Sequence, residues 1–161
     1  MFIELDSIFN NIGSSREVDY SFLIDGEENV PDPVKVKGRI ENRAGVVSFS
    51  GKVFYALSSE CDRCAQPFTR DMSFDFEHTL VTSLNEDDND DYILVEDLRL
   101  DIDELIREDV ILSFPTQFLC REDCKGLCHI CGQNLNDKQC GCKEPVDPRL
   151  AVLMQLLEDD N

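Results

Sequence analysis

The chain has 161 residues, enough for one ordinary domain with a buried core, and carries 34 acidic against 15 basic residues for a formal charge of −19. So large an excess repels nucleic-acid phosphates at long range and attracts basic partners. No run approaches the roughly 18 apolar residues of a membrane helix, and the start MFIELDSIF lacks the basic segment and long apolar stretch of a signal peptide; a cytoplasmic protein without membrane contact is expected.

From residue 17 to 58 apolar and polar residues alternate, as in Val34-Lys35-Val36-Lys37 and at Val53, Tyr55 and Leu57. A period of two is that of half-buried antiparallel strands. Turn-forming residues at 26–33 and 42–45 interrupt it, which predicts strands near 2–5, 18–24, 34–41 and 45–58, the last two forming a hairpin. After Cys61-Asp62-Arg63-Cys64 and Pro67, the run FTRDMSFDFEHTLV sets Phe68, Met72, Phe74, Phe76 and His78 mostly two apart. That predicts another long strand, with the CxxC in the turn before it and His78 as a structural histidine whose hydrogen bonds are met.

NEDDNDD at 85–91 has too little apolar content to pack and reads as an acidic, solvated loop. In LDIDELIREDVILSF, Asp101 can cap a helix together with Glu104, and Ile102, Leu105, Ile106 and Val110 form one apolar stripe. A helix over 101–114 is expected, ended by Pro115. Past the last cysteines, Asp147-Pro148 opens a second helix whose stripe is Leu150, Leu153, Met154 and Leu157. The fold class is therefore α+β: an antiparallel β-rich body with one main helix over 1–118, then a cysteine-rich zinc-knuckle segment and a terminal helix over 119–161.

Eight cysteines in a reducing compartment read as metal ligands or thiols rather than disulfides. Cys128-His129-Ile130-Cys131-Gly132 has the form of a zinc knuckle: two thiolates three residues apart reach one ion, and the glycine lets the turn take positive φ. Cys140 and Cys142, on one face of an extended stretch, supply two more ligands, with Cys124 as a competitor for one of their places. Between its cysteines, His129 reads as exposed. The segment has few apolar side chains to offset chain entropy, so it depends on the ion for its order. Cys61 and Cys64 leave three readings open: a second zinc site completed by Cys120 and Cys124, unpaired structural thiols, or a redox couple. The strand pattern after Pro67 opposes the helix N-terminus that a thioredoxin-type couple uses.

There is no glycine-rich phosphate loop, no nucleophile with a spaced histidine and acid, and no histidine/glutamate zinc set with an open position. An all-cysteine tetrahedral site is closed and activates no water, so an enzyme is not expected.

The order of motifs carries a resemblance. ECDRCAQPF with a phenylalanine-rich strand, an acidic helix ending LSFP, LCREDCKGLCHICGQNLN with CGC, and DPRLAVLMQLL together resemble the YceD family over roughly residues 45–157. The resemblance implies a role in 23S rRNA accumulation or large ribosomal subunit assembly in bacteria and chloroplasts, with no established catalysis. Cys61 and Cys64 match the family's most widespread motif, and the cysteine-rich tail is similar to the form in Gram-positive relatives, where proline often stands in place of His129.

Charge distribution frames the partners. Residues 71–111 hold fifteen acids against two bases, which suits a basic ribosomal protein or a large-subunit precursor. Residues 35–70 hold seven bases against three acids, and Lys35, Lys37, Arg39, Arg43, Lys52, Arg63 and Arg70, with aromatics such as Tyr55 to stack on bases, form a candidate rRNA-binding patch.

Overall fold

The alternation of apolar and polar residues draws the middle of the chain into a ladder of long strands. The computed structural model describes residues 1–83 and 92–142. In chain order it contains β1 (Phe2–Glu4), α1 (Asp6–Phe9), β2 (Ser15–Phe22), β3 (Val34–Arg43), β4 (Val46–Glu60), β5 (Pro67–Val81), β6 (Tyr92–Leu94), a 3₁₀ turn (Glu96–Leu98), β7 (Arg99–Asp101) and α2 (Ile102–Leu112). Five strands form a sheet in the order β2-β3-β4-β5-β6, and β1 pairs with β7 in a separate two-stranded sheet. The α+β class holds, with β structure dominant. All pairs are antiparallel except β5 with β6, a parallel pair in a body expected to be antiparallel throughout. The expected helix after Asp147 and the acidic loop at 85–91 lie outside the described residues.

Period two sets the inner face. Val18, Tyr20 and Phe22 of β2, Val34, Val36 and Ile40 of β3, and Val47, Phe49, Val53, Tyr55 and Leu57 of β4 point one way. They share a core with Ile102, Leu105, Ile106 and Val110, the apolar stripe of α2. Three hydrogen bonds pin α2 along its length: Tyr20 donates to Asp103 Oδ1 at 2.9 Å, His78 Nε2 and Asp109 Oδ2 meet at 2.7 Å, and the Tyr55 and Ser113 hydroxyls meet at 2.9 Å. His78 thus has the partner expected of it. Asp101 caps the helix by accepting from the amide of Asp103 at 3.2 Å.

The β3–β4 hairpin turns through Ala44 and Gly45, both at positive φ, the conformation a two-residue type I′ turn needs. Asn42, 1% exposed, secures it: its Oδ1 accepts from Gly45 N at 3.0 Å and its Nδ2 donates to the Ile8 carbonyl at 2.8 Å. Facing glycines, Gly38 and Gly51, let β3 and β4 close up, and the rings of Phe49 and Phe76 lie over Gly38.

Candidate metal centres

The fold brings the eight cysteines together as two groups of four. Cys61, Cys64, Cys120 and Cys124 form one, Cys128, Cys131, Cys140 and Cys142 the other, and within each all sulfurs lie within 4.8 Å of one another. In the first, the inner cluster, Cys61 and Cys124 sulfurs are 3.7 Å apart, as are those of Cys64 and Cys120. Thiolates about 2.3 Å from a tetrahedral ion such as Zn²⁺ stand roughly 3.8 Å from each other. The donor sets can therefore each hold one metal ion, and Cys124 groups with the CxxC of the β4–β5 turn rather than with the tail.

Both CxxC segments make the same turn. Cys61 N donates to Gln66 O at 2.9 Å and Ala65 N to Cys61 O at 2.8 Å; five and four residues on in the second, Cys128 N donates to Gln133 O at 2.8 Å and Gly132 N to Cys128 O at 2.8 Å. The residue after the second cysteine has positive φ in each, 55° at Ala65 and 72° at Gly132. The sequence holds the signal, since CDRCAQ and CHICGQ are one pattern written twice, but alanine in the glycine position hides it. A knuckle turn, not a helix N-terminus, presents Cys61 and Cys64.

Charged side chains of that turn and of the start of β5 grip the returning chain. Asp62 Oδ2 accepts from Phe118 N at 2.7 Å, Arg63 Nη1 donates to Cys124 O at 2.9 Å, and Arg70 Nη2 donates to Leu119 O at 3.1 Å. Gly126, at φ 74°, lies so close that a Cβ there would sit 2.9 Å from Arg63 O. The boundary expected at 118/119 runs through this cluster, which takes two cysteines from each side. Cys61, Cys64 and Cys124 are buried, while in the outer cluster Cys131 and Cys142 are exposed. His129 is exposed as well.

Backbone amides set the thiols apart. Burial pushes Cys61 up, but the amides of Cys120, Arg63 and Cys64 outweigh it and bring the thiol down to about 6. Amides of Cys131 and Ile130 likewise bring Cys128 down to about 6. Burial and the neighbouring sulfurs push Cys120 up to about 12, and the Cys131 sulfur does the same to Cys142. The inner cluster thus favours the thiolates of Cys61 and Cys124 and disfavours those of Cys64 and Cys120, and the outer one favours Cys128 over Cys142, until a cation supplies positive charge.

The basic patch is dispersed. Lys35, Lys37, Arg39 and Arg43 project from the outer face of β3, and the register sets Asp19, Lys37, Lys52 and Asp75 side by side on four strands. Lys37 pairs with Asp19 at 3.8 Å, Arg39 with Glu17 at 2.9 Å, Arg43 with Glu41 at 3.0 Å and Lys52 with Asp75 at 3.4 Å. Arg63 and Arg70 belong to the cysteine site instead. Tyr55 is 4% exposed, so it is no stacking platform, because its position is in phase with the core residues Val53 and Leu57; Phe54 occupies the outer face.

Negative charge gathers where β6, β7 and α2 meet. A cleft of about 450 Å³ there is lined by Glu96, Asp97, Asp101, Glu104 and Glu108. Its basic residue, Arg99, lies over the exposed ring of Phe2, 5.3 Å from the centroid, and Leu94 adds a second exposed apolar side chain. Sequence reasoning located the acidic block but not the cleft, since β6 and β7 are too short to show a period. Among the described residues no helix is long and apolar enough to cross a membrane.

The class is thus that of a mostly antiparallel sheet backed by one helix and carrying two groups of four cysteines, each able to hold a metal ion. The family model described as Large ribosomal RNA subunit accumulation protein YceD matches residues 49–157, and the chain belongs to this family. It is 34% identical to YlbN of Bacillus subtilis (strain 168) over 80% of this chain and 77% of that one. It is 29% identical to a Mycobacterium tuberculosis protein, spanning 74% of this chain and 59% of the relative. A maize protein named Large ribosomal RNA subunit accumulation protein YCED homolog 1, chloroplastic, is 29% identical over 69% of this chain and 49% of its own length. The chain thus spans little more than half of the mycobacterial relative and about half of the maize one. No solved structure matches.

Proposed function

We propose that the protein is a non-catalytic factor in large ribosomal subunit assembly, supporting 23S rRNA accumulation by holding a basic ribosomal protein against its acidic face. The carrying observation is the cleft between β6, β7 and α2, where five carboxylates and the apolar side chains Phe2 and Leu94 offer both terms such a partner needs: Coulomb attraction and a desolvated anchor. The acidic run at 85–91 directly precedes β6 in sequence. The family's name supports the ribosomal setting. Direct rRNA binding has less support, because the lysines and arginines of the sheet face alternate with carboxylates that neutralise them.

In this reading both clusters hold zinc. Four thiolates are a soft, closed set that suits Zn²⁺ and leaves no position for water. Cys61, Cys64, Cys120 and Cys124 would fasten the tail to the sheet; Cys128, Cys131, Cys140 and Cys142 would give the tail itself a shape. The division into a body over 1–118 and a cysteine segment over 119–161 then describes chain order, with the inner ion as the joint.

The test is retention of purified large-subunit proteins on the immobilised full chain at about 50 mM and 500 mM salt. A basic ribosomal protein held at low salt and released at high salt is the expected result, with Glu104→Lys/Glu108→Lys weakening retention at least tenfold. Retention of none of them, or equal retention by the variant, would remove the adaptor reading.

A further inference from the structure

We propose that the two cysteine clusters are unequal and coupled: the inner one holds a permanent metal ion, the outer one an exchangeable ion, and Asn136 makes the hold on each depend on the other. The inference rests on the reading that both clusters bind zinc and adds an order and a linkage to it.

Inequality follows from where the ligands come from. The inner cluster takes Cys61 and Cys64 from a turn between two fifteen-residue strands, and Cys120 and Cys124 from a segment tied to that turn by Asp62, Arg63 and Arg70. Three of its sulfurs are buried, and Phe68 and Leu119 pack against them. A competing chelator must open this packing before it reaches a thiolate. The outer cluster draws all four ligands from residues 128–142, where Cys131 and Cys142 are exposed and the one β-bridge nearby joins Leu127 to Asn134. Two of its four thiolates therefore meet solvent directly, with Cys128 alone buried.

Coupling follows from one side chain. Asn136 belongs to the loop between the outer ligands Cys131 and Cys140, yet its Nδ2 donates to the Sγ of the inner ligand Cys124 at 3.3 Å. Its Oδ1 accepts from Lys125 N at 2.8 Å, next to that ligand in the chain. Asn134 holds it in place, with Oδ1 accepting from both Asn136 N at 2.9 Å and Asn136 Nδ2 at 2.8 Å. Leu135 N donating to Gly126 O at 2.9 Å and Leu127 N donating to Arg63 O at 3.0 Å complete the clasp. An N–H donated to a ligating sulfur stabilises its negative charge, and such a partner outside the ligand set typically changes metal affinity by about 10–100-fold. Filling the outer cluster fixes the loop that carries Asn136 and so strengthens the inner one. By linkage, filling the inner cluster fixes Cys124 and Lys125 and preorganises the outer one to the same extent.

The experiment loads the reduced full chain with Co²⁺, whose thiolate charge-transfer and ligand-field absorption report each site, and follows release into excess EDTA. Two ions per chain leaving in two phases, with rates at least tenfold apart, are expected. Cys131→Ser/Cys142→Ser should remove the fast phase and, in an equilibrium competition with the chelator, weaken the hold on the inner ion about tenfold, because only the natural chain can keep its outer cluster filled there. Asn136→Ala should speed both, whereas Asn136→Asp, which keeps the acceptor for Lys125 N but has no donor for the sulfur, should speed the slow phase selectively and shift its charge-transfer band; an unchanged far-ultraviolet dichroism spectrum shows the sheet intact. Release of both ions in one phase, binding of one ion only, or an inner ion whose equilibrium hold and slow release are insensitive to every one of these variants overturns the proposal while leaving a metal-binding reading standing. A chain that binds no Co²⁺ overturns both.

Discussion

Two side chains show how single residues set the stability of the frame around the sites. Tyr20 reaches from β2 to α2, and burial, aided by the Asp103 carboxylate that accepts its proton's hydrogen bond, holds its phenol above the ordinary value. A folded-state pKa above the unfolded value of about 10 means that the folded chain keeps a proton the unfolded chain releases. This contribution is fully present below pH 10 and declines as pH rises beyond it. Tyr20→Phe should cost about 1 kcal/mol at neutral pH, and the gap between the two proteins should narrow above pH 10 in urea titrations; a gap independent of pH would show that the hydroxyl is not tied to Asp103. Ala65 is the converse case. It holds a left-handed conformation in the first knuckle that costs an alanine about 1 kcal/mol, so Ala65→Gly should raise stability by up to about 1 kcal/mol in the same titrations, with no loss of bound metal.

At the scale of elements, the closest approach in the sheet is the most sensitive. A Cβ on Gly51 would lie 2.3 Å from Lys37 O and 2.5 Å from Gly38 Cα, both backbone atoms of the neighbouring strand. Gly51→Ala must part β3 from β4 and should lower stability by about 3 kcal/mol, read as a lower urea midpoint, while Ser50→Ala beside it on the outer face should change little. Why some elements were legible in the sequence and others not follows from similar local physics. β3, β4, β5 and α2 announce themselves because one buried face imposes a period on ten or more residues. β6 and β7 have three residues each, α1 has four, and their partners are distant in sequence, so nothing local encodes them. β2 begins at Ser15 rather than near 18 because Ser15, Arg16 and Glu17 join the ladder with polar, exposed side chains, which leaves no apolar trace. The outer cysteine group was readable from spacing. The inner one needed the fold, since no rule of spacing relates Cys64 to Cys120 across 56 residues, and Tyr55 was misplaced because a tyrosine's phase on its strand, not its polarity, decides the face it takes.

Across the whole molecule, the two hydrophobic clusters make separable demands. The main core joins the inner face of the sheet to α2 and ends at Phe114 and Phe118, whereas the second consists of Cys61, Cys64 and Cys124 with Phe68, Leu119 and Cys120 around them. Between Phe118 and Cys142 the chain offers little apolar area, so in the zinc-bound reading its order comes from thiolate–metal bonds and from the backbone bonds to Arg63 and Arg70. Removing metal with a chelator under reducing conditions should therefore leave β2 to β5 and α2 folded and release residues 119–142. Hydrogen exchange resolved by peptide gives the readout: uptake should rise in 119–142 and in the turn at 61–66, with protection kept at Ile40, Val53 and Ile106. Loss of protection throughout β3 and β4 would mean that the ions hold the core itself and not only the tail. The acidic cleft provides the functional counterpart of this measurement, because in the zinc-bound reading β6, β7 and α2 lie on the side of the inner cluster that the sheet core alone supports. Metal-free protein should then keep its salt-sensitive hold on a basic ribosomal protein within about twofold, and a tenfold loss would place the binding surface in the tail instead.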